Sequence, residues 1–282
     1  MKITLQEAKR VAVDIKFYYG YSFFDFDLEF VRKSIEKRAL KYGIKNFVSF
    51  HKELVYNANL ARVLYEDLLV SVSDFFRDSD YFRYIRDNLL YDISSFPAIK
   101  VWSAGCAKGQ EAYSMAILLK EKGLLHKSLI YGTDINHKAL EIAKNGVYST
   151  KEFIRAMEYY YLSGGKGSFS SYFETDRDLR FEIKDEFKQN VYITKHDLAK
   201  DGIFNEFNLI LCRNVLIYFD NKTKKSVIKK LTDSLSGSGY LVFGKYDHIK
   251  VEKDNKKVSS LNIYKKDFGG GGWFIRKKYF KG

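Results

Sequence analysis

The stretch KVWSAGCAKGQEAYSMAILL, Lys100 to Leu119, decides the fold of this 282-residue chain. An apolar run through Val101 and Trp102 leads directly into Gly105, a second glycine follows at Gly109, and a helical pattern then begins. A strand, a glycine turn and a helix in this order place a ligand at the carboxyl end of the strand in an open α/β sheet. The spacing GxxxG differs from the dinucleotide fingerprint GxGxxG, so the turn favours a nucleoside ligand without requiring a pyrophosphate. An ordinary strand-to-helix turn is the alternative.

The chain before this stretch has helical patterns. Thr4 and Glu7 form a capping box that opens a first helix. A second helix is predicted over Phe30–Ile44 and a third over Leu60–Val70. We therefore predict a small all-helical N-terminal domain over residues 1–95.

From residue 96 onward, predicted strands alternate with helices. FNLILCRN is almost continuously apolar, as a strand buried on both faces should be. The SGSG after the helix Lys222–Leu235 predicts a helix stop, and LNIYKKDF and WFIRKKYF flank GGGG as an antiparallel hairpin is expected to do. A parallel sheet closed by such a hairpin is typical of Rossmann-like methyltransferases. We predict this α/β fold over 96–282, with a small β-subdomain inserted near 150–190.

The composition excludes several classes of protein. Lys and Arg number 48 against 35 Asp and Glu, a formal charge of +13, which favours an acidic partner without choosing among nucleic acid, membrane and protein. No apolar run approaches about 18 residues, so we expect no membrane span, and the charged amino terminus does not resemble a signal peptide. The two cysteines, Cys106 and Cys212, exclude a disulfide framework and fit a reduced, cytoplasmic setting. We expect both to be small buried apolar residues.

Carboxylates follow or adjoin the predicted strand ends. Asp134 ends the second strand, where a carboxylate can accept hydrogen bonds from ribose hydroxyls, although capping the next helix is the alternative. Glu111, in the first turn of the helix after the glycines, either meets the helix dipole or an amino acid's ammonium group. Asp197 follows the third strand, where it could accept from an adenine amino group or cap the strand end. Arg213 and Asn214 follow the fourth strand, and a buried Arg213 would need a partner.

Four motifs, together with the helical amino-terminal region, carry a family resemblance. They are SDFFRD (73–78), WSAGCAKGQEAYSMAILL (102–119), YGTDI (131–135) and CRNVLIYFD (212–220). With the strand GYLVFGK after them, they resemble the chemotaxis receptor glutamate methyltransferase family, the CheR type. This resemblance covers nearly the whole chain. It implies methyl transfer from S-adenosylmethionine to glutamate side chains on the cytoplasmic signalling helices of chemoreceptors, giving glutamyl methyl esters and S-adenosylhomocysteine.

The resemblance also implies roles for individual residues. Arg77 lies where the family has the arginine beside the sulfonium methionine, and Tyr218 lies where it has a tyrosine near the methyl donor; these two are the predicted catalytic residues. The predicted cofactor-binding residues are Ser71, Ser73, Arg77, Ala104, Gly105, Glu111, Asp134, Asp197, Leu198, Arg213 and Asn214. No metal is implied, and the five histidines show no metal-ligand spacing.

Partners are implied by the same resemblance. The basic second helix, with Lys33, Lys37, Arg38 and Lys41, matches the part of the family that lies against the receptor, although a lysine stripe is most often only a solvated face. In some members the β-subdomain binds a receptor's carboxyl-terminal peptide. Neither nucleic acid nor membrane insertion is expected.

Two departures keep a second function open. The family's usual GEEPYS is GQEAYS here, with Gln110 and Ala112 in place of Glu and Pro, and KYD (245–247) stands where a Ser-Glu pair is common. A non-catalytic relative that senses the cofactor or binds the receptor is therefore the alternative. A nucleic-acid amino-methyltransferase would show an NPPY-like motif, which the lone Pro97 excludes, and a nicotinamide-dependent oxidoreductase would show GxGxxG.

Overall fold

The computed structural model describes residues 1–176, 178–247, 249 and 261–266. The chain folds into two compact units. One comprises Met1–Val70 and Leu216–Ile228, and the other comprises Ser71–Val215 with the described residues from Lys229 onward. None of the helices in the described ranges is long and apolar enough to cross a membrane.

The first unit is helical, and its helices bury one apolar face each. Thr4 and Glu7 form the expected capping box at the start of the first helix. The apolar residues recur at three- and four-residue spacing, so each helix contributes one stripe to a shared core. The helices are α1 (Leu5–Tyr19), α2 (Leu28–Lys41), α3 (Phe47–Tyr56) and α4 (Ala58–Leu68).

The second unit begins with helices that the sequence grouped with the amino-terminal part. These are α5 (Ser79–Tyr84), a π-helical turn (Ile85–Leu89) and α6 (Leu90–Ile93). Their apolar side chains, among them Phe82 and Ile93, belong to the same core cluster as those of the sheet. The boundary between the units therefore falls before these helices, at Val70, and not near residue 95.

The second unit is built on a six-stranded sheet that confirms the predicted α/β fold. Its elements are β1 (Ile99–Ala104), α7 (Gln110–Glu121), β2 (Ser128–Asp134), α8 (His137–Asn145), β3 (Val147–Tyr148), α9 (Thr150–Leu162), β4 (Phe173–Thr175), β5 (Phe181–Ile183), α10 (Asp185–Lys188), β6 (Val191–Lys195), β7 (Phe207–Cys212), β8 (Leu235–Phe243) and β9 (Asn262–Lys265). The helix α11 (Asn221–Asp233) begins in the first unit and ends in the second. The large sheet has the order β6-β2-β1-β7-β8-β9. The first five strands are parallel and β9 is antiparallel to β8. Every residue of β7 is buried, as its apolar sequence predicts.

A second, three-stranded antiparallel sheet lies within the inserted segment. Its order is β3-β5-β4, and α9 precedes two of its strands in the chain. Phe153 on α9 stacks on Phe181 of β5 with ring centroids 3.8 Å apart. The aromatic side chains of the insertion therefore anchor it to the core of the second unit.

The carboxyl-terminal part differs from the predicted helix stop at SGSG. The helix α11 ends at Asp233, and the SGSG sequence lies inside β8 rather than stopping the helix. The chain is irregular there because the register of β7 and β8 shifts between Phe207 and Leu209. At Gly239 an added Cβ would lie 3.1 Å from the carbonyl oxygen of Phe207, so glycine permits a close backbone approach. The GGGG turn and WFIRKKYF lie outside the described residues.

Candidate functional site

The glycine turn and the end of β2 meet at the carboxyl edge of the sheet. Gly105 has a φ of 81°, and its N–H donates to the Thr133 carbonyl at 2.8 Å. A Cβ at Gly105 would lie 2.5 Å from Cγ2 of Val215, so this position requires glycine for space as well as for conformation. Ala104 is buried at the end of β1 and pairs in register with Thr133.

Asp134 is fixed beside this turn by main-chain donors. Its Oδ2 accepts from the N–H of Ala107 at 2.9 Å, and its Oδ1 accepts from the N–H of Asn136 at 2.8 Å. Burial raises the pKa of the Asp134 carboxyl, and the main-chain hydrogen bonds partly offset that shift. A carboxylate offers about four acceptor positions, so the pair of oxygens retains capacity for a ligand.

Asp134 does not cap α8, which removes the alternative explanation for this residue. The capping residue is Asn136, whose side-chain oxygen accepts from the N–H groups of Lys138 and Ala139. The Nδ2 of Asn136 also donates to Ser71 Oγ at 2.9 Å. One asparagine thus connects the end of β2 with a predicted cofactor residue.

Glu111 and Arg213 form a buried ion pair. Nη1 of Arg213 lies 3.0 Å from Oε2 of Glu111, and Oε1 of Glu111 accepts from Ser103 Oγ at 2.8 Å. The side chain of Arg213 is 2% exposed, so the partner that a buried arginine requires is present. Nη2 of Arg213 also donates to the carbonyl of Arg77 and to Asp78. The structure therefore brings these two predicted residues together, with the arginine directed towards protein groups.

Residues 71–78, here called the FFRD loop, carry three further predicted residues. Ser73 Oγ donates to Oε1 of Gln110 at 2.6 Å, and the N–H of Phe76 donates to Ser114 Oγ at 2.9 Å. Both acceptors lie in the first turns of α7, so the loop lies along the start of that helix. Arg77 is partly exposed, and its Nη1 donates only weakly to the Val72 carbonyl at 3.3 Å.

The strand ends on either side hold the remaining predicted residues. Asp197 accepts from the N–H of Ala199 at 2.9 Å, as expected of a strand-end cap, and Leu198 is buried. Asn214 has a φ of 60°, and its N–H donates to Oδ2 of Asp247 at 2.7 Å. Asp247, in the KYD sequence that departs from the family, thus supports the turn after β7.

Tyr218 and the lysine stripe belong to the first unit. The Tyr218 ring packs on Phe30 with centroids 4.9 Å apart, and its carbonyl accepts from the N–H of Asp27. Lys33, Lys37 and Lys41 are exposed along one face of α2.

Arg38 does not belong to that exposed face, so its predicted docking role is wrong. It is 8% exposed, and its Nε lies 2.6 Å from Oδ2 of Asp67 on α4. Helical spacing explains the difference, because Arg38 lies one position away from Lys37 and turns towards the buried Ile35 and Ala39.

Sequence reasoning assigned no contact to several residues that build this site. Asn136 and Gln110 bind Ser71 and Ser73, and Arg155 of the inserted α9 forms an ion pair with Asp74 in the FFRD loop. Gln110 is fully buried, and its Nε2 has no acceptor in the part of the chain that the structure describes. Only Asn136 had a local signal, as the polar residue directly before a helix.

Both cysteines are buried, as expected, and burial raises the pKa of each thiol well above its ordinary value. Thiols in such surroundings are poor nucleophiles. The site therefore offers carboxylates, hydroxyls and the partly exposed Arg77 near a glycine turn, a set that fits an adenosine carrying an amino acid.

Comparison with known proteins places the chain among methyltransferases. The family model for the CheR methyltransferase SAM-binding domain matches residues 71–265. A methyltransferase of Pseudomonas putida is 33% identical over 231 residues, which cover 82% of this chain and 84% of that relative. A chemotaxis protein methyltransferase of Borreliella burgdorferi is 30% identical over 240 residues, covering 80% and 81%. One from Vibrio cholerae is 29% identical over 251 residues, covering 83% and 87%.

Proposed function

Because this chain belongs to the CheR methyltransferase family and uses S-adenosylmethionine, we propose that it methylates glutamate side chains of chemoreceptors. The products are glutamyl methyl esters and S-adenosylhomocysteine. The observation that carries the proposal is the arrangement at the edge of the sheet, where main-chain donors hold the carboxylate of Asp134 beside the glycine turn and Asn136 binds both Asp134 and Ser71 of the FFRD loop. Relatives that cover most of this chain are named chemotaxis protein methyltransferases.

In the proposed cofactor site, two carboxylates bind different parts of the ligand. Asp134 accepts from the ribose hydroxyls, and Glu111 faces the ammonium of the methionine portion. Ser71, Ser73, Arg77, Ala104, Gly105, Asp197, Leu198, Arg213 and Asn214 complete the site. Bound S-adenosylmethionine supplies a methyl group on a cationic sulfonium, which its own chemistry activates.

Methyl transfer to a carboxylate requires little acid–base catalysis from the protein. A glutamate carboxylate has an ordinary pKa of about 4.3 and is ionised at pH 7, so the acceptor needs no general base. The work of the residues is to orient the carboxylate and to exclude water. We assign orientation to Arg77, whose guanidinium is partly exposed, and to Tyr218, on the basis of the family resemblance.

Receptor recognition is proposed for two surfaces. Lys33, Lys37 and Lys41 on α2 present positive charge to the cytoplasmic signalling helices of the receptor, whose methylation segments carry glutamates. A carboxyl-terminal receptor peptide is proposed to bind the small sheet, in which β4 is an edge strand. Exposed strand edges have unpaired main-chain groups that suit an added strand.

The test is transfer of labelled methyl from S-adenosylmethionine to chemoreceptor-bearing membranes, followed by mild alkali. Label released as methanol identifies a carboxyl methyl ester and supports the proposal. An Asp134→Asn variant is the control, since it removes the proposed ribose acceptor. If no label is transferred while S-adenosylhomocysteine binds in a calorimeter, the non-catalytic alternative is favoured. If the product does not bind either, the proposed cofactor site is wrong.

A further inference from the structure

The FFRD loop contains two residues in a backbone conformation that side chains disfavour. Phe76 has a φ of 51° and Asp78 a φ of 55°, and Phe76 is fully buried. Bulky residues rarely adopt the left-handed region, and they keep it only where the surrounding structure holds them. The loop therefore needs an anchor at its carboxyl-terminal end.

Arg213 makes the contacts of such an anchor. Its Nη2 lies 2.6 Å from the carbonyl oxygen of Arg77 and 2.8 Å from Oδ2 of Asp78. These two acceptors lie in the strained part of the loop. Its Nη1 binds Glu111 at 3.0 Å, and the guanidinium lies over the ring of Tyr81, 4.9 Å from its centroid.

The guanidinium of arginine can make all of these contacts at once, whereas the ammonium of lysine cannot. A guanidinium is planar and presents several N–H groups in fixed directions, so one side chain can bind acceptors on two different elements at once. Lysine keeps the charge but concentrates it at one point. Arg213 thus connects the loop, which carries Ser73 and Arg77, to the first turn of α7, which carries Glu111.

We infer that the side chain of Arg213 is a positioning residue: it holds the FFRD loop and Glu111 in the conformation that binds the cofactor, without itself contacting the cofactor. This inference rests on the proposed function. It differs from direct binding because the Arg213 side chain is 2% exposed and its terminal nitrogens bind protein acceptors. The main chain at Arg213 and Asn214 remains part of the proposed cofactor site.

The experiment compares Arg213→Lys with Arg86→Lys. Arg86 is a matched control, because it too is buried in the second unit, binds the Ser163 carbonyl and pairs with a carboxylate, Glu121. Three quantities are measured: the Kd of S-adenosylhomocysteine by calorimetry, hydrogen exchange of the amides in residues 72–78, and the KM for S-adenosylmethionine separately from kcat.

We expect Arg213→Lys to weaken product binding and raise the KM for S-adenosylmethionine by about tenfold or more, as the loss of hydrogen bonds to a charged group implies. Exchange in residues 72–78 should rise in parallel, whereas Arg86→Lys should change none of the three quantities. Unchanged Kd and exchange in a folded Arg213→Lys protein would overturn the inference. So would a weaker Kd with no change in exchange, which would indicate direct contact.

Should Arg213→Lys fail to fold, Asp78→Asn removes the negative charge from only one of the contacts and is judged by the same criteria. Product binding and exchange need no receptor. A wild-type protein that transfers no methyl group therefore refutes the proposed function, whereas the response of the loop to Arg213 is judged separately.

Discussion

Replacing Asp134 with asparagine tests the proposed ribose contact with the smallest change of shape. The carboxylate has main-chain donors on both oxygens, from Ala107 at 2.9 Å and Asn136 at 2.8 Å. An asparagine side chain keeps one acceptor oxygen and turns an NH₂ group towards one of these donors. It also loses the negative charge and one of the two carboxylate oxygens that would accept hydrogen bonds from the ribose hydroxyls.

The expected loss follows from these contacts. A hydrogen bond to a charged group contributes about 1.5–3 kcal/mol to binding. The Asp134→Asn variant keeps one acceptor oxygen and therefore part of one of the two proposed bonds to the ribose. We therefore expect binding of S-adenosylhomocysteine to weaken by about 2–4 kcal/mol, or about 30- to 1000-fold in Kd. Isothermal calorimetry on the purified protein measures this directly.

Asp27→Asn provides a matched control for the same chemical change. Asp27 caps α2 by accepting from the N–H of Phe30 at 3.0 Å, and it lies in the first unit. Asparagine is a good capping residue, so this variant should keep both its melting temperature and its affinity for the product. A folded Asp134→Asn protein that binds within about threefold of wild type would refute the assigned ribose contact.

Four further predictions concern receptor docking, the stability of the first unit, the orientation of the acceptor and pH. Reversing the charge of Lys37 and Lys41 should slow receptor methylation severalfold at low salt with no change in stability, because both side chains are exposed. Arg38→Ala should instead lower the free energy of unfolding by about 1–3 kcal/mol, since it breaks the ion pair with Asp67. Chemical denaturation of each variant separates the two effects. Tyr218→Phe should lower kcat while the Kd of S-adenosylhomocysteine stays constant, and unchanged turnover would remove its hydroxyl from the mechanism. Burial raises the pKa of Asp134, so product affinity should be constant above that pKa and fall as the pH is lowered through it, whereas calorimetry of Asp134→Asn across the same pH range should lack this component.

Local sequence signals predicted the elements of this protein well. The capping box at Thr4 and Glu7 involves residues three positions apart, so it can be read without knowledge of the fold. The continuous apolar run of β7 and the strand–glycine–helix pattern around Gly105 are local in the same sense. Because parallel strands end at one edge of the sheet, the positions of Asp134 and Arg213 near that edge followed from the same patterns.

Contacts between distant parts of the chain could not be predicted in this way. Arg155 pairs with Asp74 across 81 positions of sequence, and Arg213 reaches Asp78 across 135. Periodicity identifies the exposed face of α2, but the charge of Arg38 wrongly suggests that it belongs to that face. A charged side chain is expected at the surface unless it has a partner that pairs with it inside the protein. The partner of Arg38 is Asp67, which lies on a different helix and cannot be found from the sequence of α2.

The departures in GQEAYS leave the proposed cofactor contacts in place. Gln110 stands where the family resemblance places a glutamate, and its amide oxygen accepts from Ser73 without adding a second buried charge beside Glu111. Ala112 is fully buried, and its Cβ lies 3.4 Å from the position that a Cβ at Gly132 would occupy. Proline in the first turn of a helix offers only a pre-set φ at a position where alanine is also a good helix former. Neither substitution removes a donor or acceptor that the proposed cofactor contacts need, so neither favours the non-catalytic alternative.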